Sequence, residues 1–390
     1  MPLFSHRLSW TTGENLLART EARVRAAGRP LVDLTVSNPT QVGLAYPVDD
    51  IARALVDARA LSYQPTPRGL LAARQAVAED YARRGAMVSP EQILLTASSS
   101  ESYALLFKLL GDPGQMVLCP EPSYPLFEYL SRLESLVPRA YQLTYDGRWR
   151  VDFSSLDWEN VAALVLVSPN NPTGSFISRE DFQRLAELAA QHQVAIIADE
   201  VFADFPLAPV ADAVTAVAAR PESALVFSLG GLSKSCALPQ MKLGWMAATG
   251  PAPLVQDALA RLELVADTYL SVGTPVQVAL PALLQAGAVV RAEILERVQR
   301  NRAALLAHLG PDSPCTLLPT EAGWSAILRV PAVMSDEAWA CTLMADDGVL
   351  VQPGYFFDLH LGATLVLSLI APPPDFDAGV ARLLDRVARS

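Results

Sequence analysis

Two hydrophobic periods alternate along this chain. Short uninterrupted apolar runs at 93–96, 117–119, 162–167, 194–198, 224–228 and 243–248 are separated by stretches with apolar residues at helical spacing, such as Gly69 to Gly85. A strand buried on both faces reads as a continuous apolar run, because neither side of its pleat meets water. Such strands joined by helical crossovers predict one large α/β domain with a mostly parallel central sheet flanked by helices. Ahead of it the pattern gives a helix at Glu14 to Ala27 and a strand at Leu31 to Val36. Behind it, helices at 253–270 and 275–286 close the large unit, and an amphipathic segment at 289–309 leads onward. The rest mixes strands at 323–330, 349–351 and 365–369 with helices at 335–346 and 375–388, the pattern of a smaller α+β domain.

Three of the buried runs end in loops rich in reactive groups. They are Ser168-Pro169-Asn170-Asn171-Pro172-Thr173-Gly174, Ala198-Asp199-Glu200-Val201-Phe202 and Leu232-Ser233-Lys234-Ser235. Open α/β sheets bind ligands at the carboxyl ends of their strands, so an amide, a carboxylate and an amine from separate loops can meet on one small molecule. A lysine amine forms a Schiff base with an aldehyde, and desolvation favours its neutral form, which also lets it carry a proton. A carboxylate beside a pyridine nitrogen keeps that nitrogen protonated and makes the ring an electron sink. An amide donor fixes a phenolic oxygen. Lys234, Asp199 and Asn171 together meet the requirements of pyridoxal 5'-phosphate.

In combination these motifs resemble the class I/II aminotransferases of the fold-type I pyridoxal-phosphate enzymes, from Asp33-Leu34-Thr35-Val36-Ser37-Asn38-Pro39 to the strand around 365–369. The resemblance implies a large cofactor-binding domain at 46–286 and a discontinuous small domain from 1–45 and 287–390. It also implies a homodimer with shared active sites. Ser99 and Ser100, ahead of a helix expected at Ser102 to Leu110, match the phosphate-contacting pair; a helix N-terminus suits a phosphate because its free N–H groups and dipole face the anion. The alternative reading is a plain serine cap. Ser233 adds a hydroxyl beside the lysine. Tyr63 matches a tyrosine that reaches the neighbouring subunit's phosphate. Tyr124, counted with Lys234 and Asp199 among the catalytic residues, matches the aromatic that stacks on the ring, and Val201 would press on the opposite face. Packing in the core is the alternative for both.

Three positions depart from the family pattern. Lys242 stands where an arginine usually grips the phosphate, keeping the charge but losing the bidentate fork. Phe202 replaces a tyrosine that donates to the phenolic oxygen. Val366 occupies the place of the arginine that clamps the substrate's α-carboxylate, and no arginine lies between Leu361 and Val380. Either another cation such as Arg329 takes over, or the substrate lacks that carboxylate, or backbone groups near Ser37 and Asn38 do more of the binding alongside Asn171.

Composition sets limits. A formal charge of −11 opposes general affinity for nucleic acid or anionic membrane, which need a basic face. No signal-like or membrane-length apolar run is read in the sequence, so a cytoplasmic protein is expected. The cysteines Cys119, Cys236, Cys315 and Cys341 are scattered, which fits reduced thiols and no metal site. The expected activity is amino transfer between an amino acid or amine and a carbonyl acceptor. A pyridoxal-phosphate lyase working by β-elimination is the alternative. A cofactor-binding regulator is a third class, but it would need a preceding DNA-binding segment for which the first few dozen residues leave little room.

Overall fold

A computed structural model describes residues 3–10, 13–219 and 223–390. Its strands are β1 (Val32–Asp33), β2 (Ile93–Thr96), β3 (Met116–Glu121), β4 (Val137–Tyr145), β5 (Trp149–Val151), β6 (Val161–Val167), β7 (Ala195–Asp199), β8 (Val226–Gly231), β9 (Gly244–Thr249), β10 (Thr316–Leu317), β11 (Ser325–Arg329), β12 (Val349–Leu350), β13 (Gln352–Pro353) and β14 (Thr364–Ser368). The main sheet has the order β2-β9-β8-β7-β6-β3-β4-β5. Its centre, from β8 through β7, β6 and β3 to β4, is parallel, and β9 and β5 join antiparallel to their neighbours. Every residue of β7 and β8 is buried, as expected of their mainly apolar sequences.

A four-stranded antiparallel sheet, β10-β11-β14-β13, and the short parallel pair β1-β12 make up the remainder. Their apolar faces share a core with the helices Leu16–Ala26 and Pro373–Ala388, where Leu34, Trp339, Leu367 and Phe376 are buried.

Several expected elements change shape. The strand at 31–36 shrinks to the two residues of β1, because beyond Asp33 the backbone turns under its own side chains; Asp33 accepts from the Thr35 amide and hydroxyl. The two helices expected at 275–286 and 289–309 are one continuous helix, Thr274–His308. Gly287 lies between the two expected segments. It is there for space, since a Cβ at that position would lie 2.3 Å from the buried Sγ of Cys236. One stretch of this helix is apolar and long enough to cross a membrane, contrary to the sequence reading. Here its apolar face packs on the helices Val48–Leu55, Leu71–Arg83 and Pro373–Ala388. The helix expected at 335–346 ends at Thr342 and runs into a π-type turn, Leu343–Asp347.

The hairpin β4-β5 and the helices Leu126–Leu133 and Arg179–Gln191 had no counterpart in the sequence reading. The hairpin lies at the sheet edge, where polar and apolar residues mix and no apolar run forms.

Candidate functional site

The carboxyl ends of β2, β3, β6, β7 and β8 lie on one edge of the main sheet and open into a cavity of about 320 Å³. The wall opposite is built from β11, β13 and β14. Of the residues singled out from sequence, Ser37, Ser99, Tyr124, Asn171, Asp199, Val201, Phe202, Lys234 and Val366 line it. Asn38, Ser100, Ser233, Lys242, Tyr63 and Arg329 do not.

Lys234 lies in a single helical turn, Leu232–Ser235, that follows β8. Glycine on both sides lets this turn approach the neighbouring strand: a Cβ on Gly231 would lie 3.1 Å from the Gly244 Cα. The Nζ sits 4.9 Å from the Trp324 ring and 5.4 Å from that of Phe202. Burial between these rings lowers the lysine's pKa, and the nearby Asp199 charge only partly opposes this. The amine is therefore biased toward the neutral, nucleophilic form.

Asp199 ends β7. One carboxylate oxygen accepts from the Val201 amide at 3.1 Å, and the other accepts from the Tyr103 hydroxyl at 3.0 Å. Burial raises the Asp199 pKa, while these two donors and the Lys234 charge pull it back. Tyr103 is itself fully buried and its pKa is pushed well up, first by desolvation and then by the carboxylate, so it keeps its proton and donates. The next residue, Glu200, faces away: it accepts from the Val217 amide at 2.8 Å and lies 3.8 Å from Arg84, fixing the strand end from below.

Asn171 is held by its loop. Asn170 donates to the Pro122 carbonyl and to Thr173 at 3.0 Å each, and accepts from Ser123 at 2.9 Å. Gly174 closes the turn at φ +66°, where a Cβ would lie 2.4 Å from the Ala322 carbonyl, so only glycine fits. The Asn171 carbonyl oxygen accepts from Ser325 at 3.2 Å, and among the described residues its amide hydrogens have no acceptor.

The helix behind β2 begins at Ser99, three residues earlier than expected, with Ser98 as its cap accepting from the Glu101 amide at 3.2 Å. The serine-cap reading therefore falls on Ser98, and Ser99 and Ser100 fill the first turn. Glu101 reaches back to the Ala97 amide at 2.6 Å and accepts from Ser271 at 2.7 Å, which stiffens the loop. Gly244 packs beneath it; a Cβ there would lie 3.2 Å from the Ser99 nitrogen. Lys242 is exposed, in a left-handed conformation just before this glycine.

A helix N-terminus at Ser99, the Asn171 amide, a buried carboxylate and a lysine biased toward neutrality are the kinds of group that pyridoxal phosphate would need. Tyr103, Trp324, Ser325, Gln352 and Phe357 also line the cavity and were not foreseen. Tyr103 and Trp324 sit on buried faces, where an aromatic reads only as core. No motif marks either.

The description "Aminotransferase class I and II" belongs to the family model that matches residues 29–371. Nicotianamine aminotransferase B of Hordeum vulgare is 30% identical across 70% of this chain and 52% of its own length. An S-alkyl-thiohydroximate lyase of Arabidopsis thaliana is 28% identical across 70% of this chain and 59% of its own. The chain thus spans between half and two-thirds of these relatives. An alanine aminotransferase structure from Pyrococcus furiosus superposes with a TM-score of 0.87 at 20% identity, covering 99% of this chain and 100% of that one, which speaks to the fold alone.

Proposed function

This chain belongs to the aminotransferase class I and II family, and we propose that it moves an amino group from a donor to a carbonyl acceptor with pyridoxal 5'-phosphate held on Lys234. The donor carbon becomes a carbonyl and the acceptor carbon gains the amine, so the exchange needs no external oxidant. The observation that carries this reading is the meeting of Lys234, Asp199 and Asn171 in one cavity, with Asp199 held by Tyr103 and Val201.

When bound, the cofactor supplies an aldehyde for the amine and a ring that delocalises the electron pair left on the donor carbon. Asp199 would hold a positive charge at the ring nitrogen. Asn171 would donate to the phenolic oxygen, and the first turn at Ser99 and Ser100 would receive the phosphate. Lys234 Nζ, biased toward neutrality, would take the proton from the donor carbon and deliver it to the cofactor's own carbon rather than back to the donor. Tyr124 and Val201, which both line the cavity, would hold the ring between them. Reduction with borohydride followed by peptide mapping tests the reading; an adduct absent from the Lys234 peptide of cofactor-treated protein would sink it. The lyase relative favours one competing outcome: pyruvate and ammonia released without any carbonyl acceptor would assign elimination instead.

Phe202 shapes the cofactor's titration. Its ring meets Trp324 edge-on with centroids 5.3 Å apart, so the position that would stabilise a negative phenolic oxygen is apolar. Phe202→Tyr is expected to move the pH-dependent absorbance change of the bound cofactor to lower pH, because a new donor stabilises the deprotonated form. An unchanged titration curve would count against this placement.

We also place the active site at a homodimer contact. Tyr63 is 76% exposed and borders a groove with Tyr269, Ser271 and Gln277, and Ser271 bonds to Glu101 of the phosphate loop. Leu61 and Leu264 are exposed as well. Exposed apolar residues beside a catalytic loop suit a subunit interface. Sedimentation should give a dimer, and Tyr63→Phe should weaken cofactor binding while leaving that dimer intact; a monomer with full cofactor affinity would overturn the placement.

A further inference from the structure

We infer that the amino donor carries an uncharged group where an α-amino acid carries its carboxylate. The inference rests on the amine-transfer reading of this cavity and names its substrate class.

Among the described residues, Asp199 and Lys234 are the charged side chains that line the cavity, and both are committed to the cofactor. Val366 stands in the middle of β14, opposite Ile327 of β11 and Gln352 of β13. It is buried in an apolar cluster with Trp149, Leu318, Ile327, Phe357 and Leu359. The place of the usual arginine is therefore not an empty slot awaiting a cation; it is filled with hydrocarbon. A carboxylate brought against this wall would lose its hydration and gain no ion pair.

Other cations lie elsewhere. Arg329 shares the strand face of Ile327 but sits one side-chain repeat further, opposite Thr364, and outside the cavity lining. What the wall does offer is neutral. The Gln352 carboxamide and the Ser37 hydroxyl have no side-chain partner among the described residues. By contrast, Ser325 donates to Asn171 and Ser368 to the Val36 carbonyl. The indole N–H of Trp324 is buried without an acceptor. Phe127, Trp324 and Phe357 supply aromatic faces. Such a pocket suits a primary amine with an apolar or aromatic substituent and a neutral oxygen-bearing group. Its carbon would leave as an aldehyde or ketone while its nitrogen passes to a carbonyl acceptor.

The test uses cofactor-loaded protein, checked first for the borohydride-fixed adduct on Lys234. Binding of 3-phenylpropanamide and 3-phenylpropanoate is then measured by calorimetry; neither has an amine, so turnover does not intrude. The amide should bind at least about tenfold tighter, and Val366→Arg should reverse that order by offering a guanidinium. In single-turnover absorbance, 2-phenylethylamine should likewise outpace phenylalanine. Tighter binding of the acid by the wild-type protein, equal binding of the pair, or no binding of either overturns the inference, whether or not the arginine variant folds. An acid preference that Arg329→Gln removes would assign the carboxylate to that residue. A missing adduct sinks the amine-transfer reading itself, which keeps the two failures apart.

Discussion

Protein carrying Lys234→Ala is expected to bind pyridoxal phosphate without fixing it and to lose nearly all transfer activity. The reasons lie in the surroundings of one nitrogen. Burial against Trp324 and Phe202 lowers the lysine's pKa, so its neutral form is reached at a lower pH than for an exposed lysine. That form is both the nucleophile for an aldehyde and the base for a carbon-bound proton. A positioned general base alone is worth about 10²–10⁴ in rate, and removal of the covalent tether adds to the loss. A fall of at least about 10³-fold in the single-turnover rate is expected, with no borohydride-fixed peptide. Small amines such as methylamine should restore part of it by entering the space left by the side chain. Lys234→Arg is the sharper control, since a guanidinium keeps a cation in place but stays protonated and cannot carry the proton. Near-normal turnover in either variant would remove Lys234 from its role.

Much of this site was legible because its parts lie at the ends of buried strands. The runs before Ser168, Asp199 and Leu232 have no polar alternation, so they had to be central strands, and the residues just beyond them had to share one edge. Less was legible where the cavity is lined by residues that look like core. Tyr103 falls at helical spacing among Leu105, Leu106 and Phe107, and nothing in that pattern separates a hydroxyl aimed at Asp199 from an ordinary buried tyrosine. Trp324 is equally silent. The edge hairpin at 137–151 was missed for the opposite reason: with polar residues interspersed, it carries no strong period. The segments expected at 275–286 and 289–309 are one helix, and the Gly287 between them stays helical because the absent side chain makes room for Cys236.

Asp199→Asn should separate stability from activity. In the folded chain the Asp199 pKa is raised above its ordinary 3.8, with burial as the main cause. A raised carboxyl pKa means that the folded protein holds this proton more tightly than the unfolded chain does. Its favourable contribution is complete below the ordinary value and is lost as pH rises through the folded one. At neutral pH the buried carboxylate, only partly offset by its two donors and the Lys234 charge, is therefore a burden on the cofactor-free fold. The asparagine variant, neutral at every pH, should melt higher than the wild type near pH 7, and the gap should narrow as pH falls through the acid range. With cofactor present the ranking should invert. The ring nitrogen then lacks its counter-charge, cofactor affinity should fall, and the transfer rate should drop by about 10²–10³, the size seen when one preorganised electrostatic partner is removed. Tyr103→Phe should act in the same direction on a smaller scale, because it removes one of two donors to the same carboxylate and leaves the Val201 amide in place. Thermal melts with and without pyridoxal phosphate, from pH 4 to 8, decide the matter. If Asp199→Asn melts below the wild type in the cofactor-free state at neutral pH, the buried charge is already compensated by the protein, and the cavity would not be waiting for a positive partner.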